Sequence, residues 1–267
     1  MQGSPVDVLL IDEAGQLSLA DALAASCSAK NLILLGDPLQ LSQVAKAVHP
    51  DGSGNSVLED ILGDDVTLPN DRGVFLSETR RMHPDVCGFI SEQIYAGRLG
   101  SHPACRRQST VAGTGLRLLA SKHHGNTTSS VEEAELIADE IGRLIGTEWI
   151  DCKGAIKPLL ANDFMVVAPY NDQVRTVQER LSRDLRTAKV PVGTVDKFQG
   201  GEAVVVFFSM ATSSGEDVTR GADFLFSRNR LNVAISRART VDDVRLIATL
   251  NAFVEYAQEQ SSLSVGA

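Results

Sequence analysis

The chain has 267 residues, 43% of them hydrophobic and 22% charged, an ordinary globular composition with enough apolar material for one large core or two small ones. The longest apolar runs, such as Val204 to Phe208, fall far short of the roughly 18 residues that cross a bilayer, so a membrane partner is not expected. Net charge is −9, but residues 1–75 hold 11 acidic and 3 basic side chains while the remainder holds 23 and 22, so the second part has ample arginine to meet phosphate. The cysteines (Cys27, Cys87, Cys105, Cys152) are scattered, with no C-x-x-C pair. No basic segment followed by an apolar one opens the chain. Both features exclude a disulfide framework or zinc module and point to a reducing, cytoplasmic setting.

In chain order, Val6 to Ile11 reads as a strand interrupted only by Asp7, and it ends in the adjacent carboxylates Asp12 and Glu13. Leu32 to Leu35 reads as a second strand leaving through Gly36-Asp37-Pro38, with Gln40 three residues beyond Asp37. A spacing of about 25 residues fits one β-α-β crossover and sets Asp12, Glu13 and Gln40 on one carboxyl edge, where α/β sheets bind ligands. Taken singly, each is an ordinary acidic or Gly-Asp-Pro turn. Residues 51–73 are rich in glycine and aspartate, with a short helical pattern at Leu58 to Leu62, and read as an inter-domain connection where the charge balance changes.

Next comes Glu78-Thr79-Arg80-Arg81-Met82-His83-Pro84, in which Pro84 opens a helix burying Val86, Phe89, Ile90 and Ile94. Ser130 to Gly146 carries a 3.6-period stripe (Val131, Ala134, Ile137, Ala138, Ile141, Leu144, Ile145) and a Ser130–Glu133 capping box. A further helix after Asn171 places Val174, Val177, Leu181 and Leu185 on one face. Strands are expected at Phe164 to Ala168, Val190 to Val195, Val204 to Met210 and Val244 to Ala248, and the continuous apolarity of all these strands, Val6 to Ile11 and Leu32 to Leu35 included, suggests burial on both faces. Between them lie the loop from Val195 to Glu202 and the segment from Arg228 to Arg239. If that segment is helical, Arg230, Ala234 and Arg237 share one face and Leu231 and Ile235 another, a pattern that in isolation suits a solvated basic face. The expected fold class is α/β, a parallel sheet flanked by helices.

The order of these segments is more specific than any one of them. An acid pair, Gly-Asp-x-x-Gln, Arg-Met-His-Pro, Ala168-Pro169-Tyr170-Asn171-x-Gln173, Asp-x-Phe-Gln-Gly-x-Glu and Asn-Val-Ala-x-x-Arg-Ala-Arg follow one another over essentially the whole chain. This resembles the second half of a superfamily 1 helicase, nearest the 5′-to-3′ branch that includes the RNA-surveillance helicase and the replication nuclease-helicase. The stretch Asp71-Arg72-Gly73-Val74-Phe75-Leu76 resembles the bacterial subgroup in which such a helicase follows a RecB-like nuclease.

The resemblance implies a RecA-like fold of the P-loop NTPase type, with ATP and Mg²⁺ held between two RecA-like domains and single-stranded DNA or RNA crossing both. It implies that residues 1–70 are the end of a first such domain and residues 71–267 a complete second one. Carried over, Asp12 holds Mg²⁺, Glu13 activates the hydrolytic water and Gln40 senses the γ-phosphate, while Arg81 and Arg237 act as arginine fingers. Glu202 contacts the ribose, Gln199 belongs to the loop linking the ATP and nucleic-acid sites, and Thr194 and Lys197 contact nucleic acid. Arg80 stands where the family often has an aromatic residue. No Gly-x-x-x-x-Gly-Lys-Ser/Thr phosphate loop occurs in the sequence, so the chain reads as a fragment whose partner is the N-terminal part of its own polypeptide, and as inactive alone. The competing reading is a non-catalytic RecA-like module that docks nucleic acid or protein. A metal hydrolase on Asp12 and Glu13 lacks the histidine cluster it would need, and His83 beside Pro84 reads as a helix-start residue.

Overall fold

A computed structural model describes residues 4–41, 54–63, 65, 67–117, 119, 121–213 and 227–244. The first strand, β1 (Leu9–Ile11), is followed by a 3-10 turn at Ala14–Gln16, helix α1 (Leu19–Ser26) and strand β2 (Leu32–Leu34). β1 and β2 pair in parallel, Leu9 opposite Leu32 and Ile11 opposite Leu34, which is the expected crossover with shorter strands. Ser18 caps α1 by accepting from the Asp21 amide at 3.0 Å, and a full Ser56–Glu59 capping box starts α2 (Val57–Leu62). Ile11, Leu17, Leu19 and Leu34 pack on a small core of Ala14, Ala22 and Val57. Burial on both faces does not hold for this strand pair. Leu10 is 60% and Ile33 45% exposed, because the described helices cover only the face that carries Ile11 and Leu34.

Beyond the connection, β3 (Glu78–Thr79) leads into α3 (Pro84–Ile94) and pairs in parallel with β4 (Gly100–Ser101). Then follow β5 (Ser109–Thr110), β6 (Gly115–Arg117), α4 (Val131–Leu144), β7 (Glu148–Ile150), β8 (Ile156–Pro158), β9 (Phe164–Val167), α5 (Asn171–Leu181), β10 (Val192–Gly193), β11 (Ala203–Phe208), α6 (Arg228–Ile235) and β12 (Ala238–Val244). The main sheet is parallel, in the order β10-β9-β11-β12-β6, and β5, β7 and β8 form a small antiparallel sheet. Here continuous apolarity does mean burial on both faces. Phe164, Val166, Val205 and Phe207 pack on α4 and α5, while Met165, Val167, Val206 and Phe208 pack on α3 and α6. The architecture is α/β, with parallel sheets flanked by helices.

Several expected boundaries move for local reasons. Only Val192–Gly193 of the expected strand at Val190 to Val195 pairs, since Pro191 has no N–H and Thr194 already starts a 3-10 turn. The last described strand is Ala238–Val244, set by backbone pairing with β11 from Ala203 opposite Ala238; the expected strand beyond Val244 lies outside the described residues. α5 stops at Leu181, so Leu185 is 92% exposed rather than on the buried face. In α4, Ile141 is fully buried but Val131, at the helix start, is 62% exposed.

The Ser130–Glu133 capping box is only half made. Ser130 Oγ accepts from the Glu133 amide at 3.1 Å, but the Glu133 carboxylate turns to the end of β11, where Ser209 Oγ donates at 2.5 Å and the amides of Met210 and Ala211 donate at 3.0 and 3.2 Å. The other carboxylate oxygen meets His123 Nε2 at 2.9 Å. Gln173, fully buried, completes the cluster by donating to Ser209 Oγ at 2.9 Å and accepting the Ser130 amide at 2.7 Å. Glu133 thus ties the start of α4 to the carboxyl end of the central strand, satisfying backbone donors the strand leaves behind.

The contrast between two positions of the α4 stripe is testable. Ile141→Ala is expected to cost about 2–5 kcal/mol of unfolding free energy in urea, and Val131→Ala to stay within about 0.5 kcal/mol. Equal losses would contradict this packing.

Candidate active site

The turns after β1 and β2 lie against each other. The Ala14 amide donates to Leu35 O at 2.8 Å, and a Cβ on Gly15 would come within 2.6 Å of Asp37 O, so this approach requires glycine. Asp12 and Glu13 emerge exposed at this edge, with Glu13 in the left-handed region (φ 53°) and its amide donating to Asp12 Oδ1 at 2.9 Å. Asp37 shapes the second turn. Its Oδ1 accepts the Leu39 amide at 2.9 Å and its Oδ2 accepts Gln40 Nε2 at 3.0 Å. The acid pair and Gln40 therefore share one sheet edge, as the spacing suggests.

Arg237 faces them from the side of the main sheet. It lies past the end of α6, in the turn before β12, and is 2% exposed, so it does not belong to a solvated basic face. Its Nε donates to Val233 O at 2.9 Å, one terminal nitrogen to Gly201 O at 3.3 Å and the other to Gln40 Oε1 at 3.2 Å. Burial first, then the neighbouring Arg81 charge, lowers its pKa to about 10, against the opposing pull of Glu13, Tyr95 and Asp37. Arg237 stays cationic at neutral pH and lies within the electrostatic reach of Glu13.

Arg81 is held at the same cleft. Its carbonyl accepts Gln108 Nε2 at 2.8 Å, and the His83 amide donates to Arg239 O at 2.7 Å, pinning the segment to β12. His83 Nδ1 caps α3 by accepting the Asp85 amide at 3.2 Å, so it is a helix-start residue. The Arg81 side chain donates to Ser236 O at 3.0 Å and to Glu202 Oε2 at 3.1 Å, and Arg239 pairs with the other Glu202 oxygen. Burial pushes the Glu202 carboxyl upward, but the two guanidiniums outweigh it and hold it below the usual range. As placed, Glu202 is an ion-pair partner of both arginines. Arg80 is largely exposed beside Glu78, at 3.7 Å.

The loop from Thr194 to Glu202 starts as a 3-10 turn over Val195–Phe198. Lys197 is exposed and donates to Val192 O at 3.1 Å; a Cβ on Gly193 would strike its stem at 2.6 Å. Thr194 is half-buried and makes no capping bond with its side chain. Gln199 Nε2 is buried without a hydrogen-bond partner among the described residues.

This set suits a magnesium–nucleotide pair. It offers exposed hard carboxylates for the cation, two arginines opposite them for phosphate, and an unmet amide donor in the adjoining loop. Among the described residues no cluster of three or more His, Cys, Asp or Glu could hold a metal ion. Two further residues to which the sequence assigned no role reach across the cleft: the Tyr95 hydroxyl donates to Asp37 Oδ2, and Asn232 Nδ2 donates to Leu39 O and to the Tyr95 hydroxyl.

Residues 54–242 match the family model described as an AAA domain, and residues 1–58 match that of the viral superfamily 1 RNA helicase core domain. The chain belongs to the AAA-domain family, and its first 58 residues are similar to the superfamily 1 helicase core. It is 30% identical over 258 residues to the probable helicase MAGATAMA 3 of Arabidopsis thaliana, covering 88% of this chain and 29% of that protein. It is 25% identical over 233 residues to the DNA replication ATP-dependent helicase/nuclease DNA2 of Gallus gallus, covering 87% and 22%. A solved PRRSV helicase aligns over 91% of this chain and 35% of its own, with a TM-score of 0.47 and 19% identity. The chain thus spans less than a third of the length of these two curated relatives. Both are eukaryotic and give no support to the bacterial nuclease-fusion subgroup expected from residues 71–76. Among the described residues no helix is long and apolar enough to cross a membrane.

The geometry separates a built-in arginine from a solvent-facing lysine. Arg237→Ala strands the Gly201 carbonyl, leaves Val233 O only the Ser236 hydroxyl at 3.4 Å, and is expected to cost about 1–3 kcal/mol in urea unfolding. Lys197→Ala is expected to stay within about 0.5 kcal/mol. An Arg237→Ala protein as stable as wild type would show that the guanidinium is not anchored as described.

Proposed function

We propose that this chain is the motor portion of an ATP-dependent superfamily 1 helicase or translocase acting on single-stranded nucleic acid. In this reading residues 1–70 close a first RecA-like domain, residues 71–267 form the second, and ATP is hydrolysed between them. The observation that carries it is the hydrogen bond from Arg237 to Gln40, which brings a buried arginine of one unit to the acid-tipped strands of the other. A docking module has no use for such a contact.

The roles follow from charge and position. Glu13, exposed beside Asp12, orients and deprotonates the attacking water. Gln40 contacts the γ-phosphate, and Arg237 and Arg81 neutralise the charge that develops on it; phosphoryl transfer is catalysed mainly by such positioning, an arginine finger contributing roughly 10³–10⁵ in rate. Asp12 would hold Mg²⁺, which would supply charge neutralisation at the phosphates. For Glu202 to meet a ribose it must exchange contacts with Arg81 and Arg239, so nucleotide binding would release Arg81 for the phosphate. Gln199 carries the signal towards Thr194 and Lys197, which contact the strand. Opening and closing of the cleft moves that strand. A cytoplasmic setting and a role in DNA repair belong to the same reading.

Since no phosphate-binding lysine loop occurs in the sequence, the isolated chain with ATP, Mg²⁺ and single-stranded DNA is expected to show no turnover above background. In the helicase polypeptide that carries it, Glu13→Gln is expected to lower kcat by about 10²–10⁴ while nucleotide binding, followed by fluorescence, persists. Full activity of Glu13→Gln would remove the proposed general base, and robust turnover by the isolated chain would refute the division of labour between two parts.

A further inference from the structure

Tyr95 ends α3, 58 residues from Asp37 in sequence, yet its hydroxyl donates to Asp37 Oδ2. The same carboxylate oxygen accepts Gln40 Nε2 at 3.0 Å, and Gln40 Oε1 accepts Arg237 at 3.2 Å. Asn232 stands behind Tyr95. Fully buried on α6, it donates through Nδ2 to the Tyr95 hydroxyl at 2.8 Å and to Leu39 O at 2.9 Å. Its Oδ1 is buried with no hydrogen-bond partner among the described residues. An unmet buried acceptor is unfavourable, so this amide is suited to the site by its two donated bonds rather than by overall satisfaction.

We propose that Tyr95, backed by Asn232, is a positioning residue that holds Asp37 and through it fixes the Gln40 amide with its carbonyl on Arg237, leaving the N–H not given to Asp37 to donate to the γ-phosphate. The inference rests on the ATPase reading of this cleft and adds a residue to it. The physical basis is directional. A carboxylate accepts only, so with Asp37 held on one side the NH₂ of Gln40 must point to it and the carbonyl must point to the guanidinium. Burial, and next the Asp37 charge, push the Tyr95 hydroxyl well above the usual phenol range, so it remains a donor at any working pH.

Tyr95 also has a second contact that a simple clasp would not need. Its ring lies 6.0 Å from Phe75, over which Arg98 sits at 4.7 Å, and Arg98 donates to Thr67 Oγ1 at 2.5 Å and Leu68 O at 3.2 Å. The segment joining the two units therefore reaches Gln40 through Phe75, Tyr95 and Asp37. Movement of that segment would be felt as a change in the orientation of the γ-phosphate sensor.

Tyr95→Phe keeps the ring on Phe75 and removes only the hydroxyl. In the helicase polypeptide that carries this chain, it is expected to lower kcat for ATP hydrolysis about tenfold on single-stranded DNA, at unchanged KM for ATP. Asp37→Asn should lose as much, and the double variant no more than Asp37→Asn alone, because both act through one network. Unchanged kcat in Tyr95→Phe, a rise in KM alone, or losses that multiply in the double variant would overturn the proposal. If the wild-type polypeptide hydrolyses no ATP, the ATPase reading falls on its own. Non-additive shifts of the two single variants in urea unfolding of that polypeptide would then still uphold the Tyr95–Asp37 linkage, and additive shifts would overturn it.

Discussion

The buried guanidinium of Arg237 is the contact on which the cleft depends. A cation at 2% exposure is unfavourable unless each of its donors is met, and here there are four partners: Val233 O in α6, Ser236 Oγ in the following turn, Gly201 O in the loop before β11, and Gln40 beyond β2. Three of these lie beside the main sheet, so the guanidinium is held whether or not Gln40 is present. The fourth, Gln40, is a neutral amide, a weaker partner than a carboxylate. That difference leaves the anchor permanent and the forward contact the more easily adjusted one.

The central sheet makes the anchor possible. Because β9 and β11 bury alternate side chains under α3 and α6 on one face and α4 and α5 on the other, their carboxyl ends cannot shift separately. Glu133 closes one of those ends, accepting from Ser209, Met210 and Ala211. The loop that ends at Glu202 and the turn that carries Arg237 enter the opposite, amino ends of β11 and β12, where the Ala203 amide donates to Arg237 O at 3.0 Å. By contrast, β1 and β2 have one face poorly covered by the described residues, with Leu10 and Ile33 exposed. The acid pair stands on the less supported side of the cleft and the arginines on the more supported side.

What could be read in the sequence follows the range of the interactions concerned. Helices with a 3.6-residue stripe and a local cap, such as α3 behind His83-Pro84, are set by neighbours a few residues away and were legible. So was the β11 run, whose unbroken apolarity has no other use than burial on two faces. Glu133 misled because it satisfies the pattern of a capping box three residues from Ser130, while its carboxylate answers to donors 76 to 78 residues away. Leu185 misled in another way: it continues the α5 stripe in number, but the helix stops at Leu181. Tyr95 carried no signal at all, since a tyrosine at the end of an amphipathic helix is ordinary core until its hydroxyl is seen to cross to Asp37. Among the site residues, order along the chain brought Asp12, Glu13 and Gln40 to one edge, whereas the pairing of Glu202 with Arg81 and Arg239 depends on three separate segments meeting.

The uneven charge of the chain acquires a physical meaning from this arrangement. Residues 1–75 carry a balance of −8, including Asp12, Glu13 and Asp37 at the cleft, and the facing edge carries Arg81, Arg237 and Arg239. Without nucleotide the two sides attract each other through short contacts such as Gln40 with Arg237. In the ATPase reading proposed above, a bound triphosphate would add about four negative charges between them, strengthening the hold of the arginines and calling for a cation on the acid side. Closure would then be favoured by the charge of the nucleotide itself, and loss of the γ-phosphate would remove part of that attraction at the point where Gln40 and Arg237 meet. A cleft built only of complementary protein charges would stay shut in both states. Placing a neutral amide between the carboxylate edge and the buried guanidinium leaves the balance to be decided by the ligand.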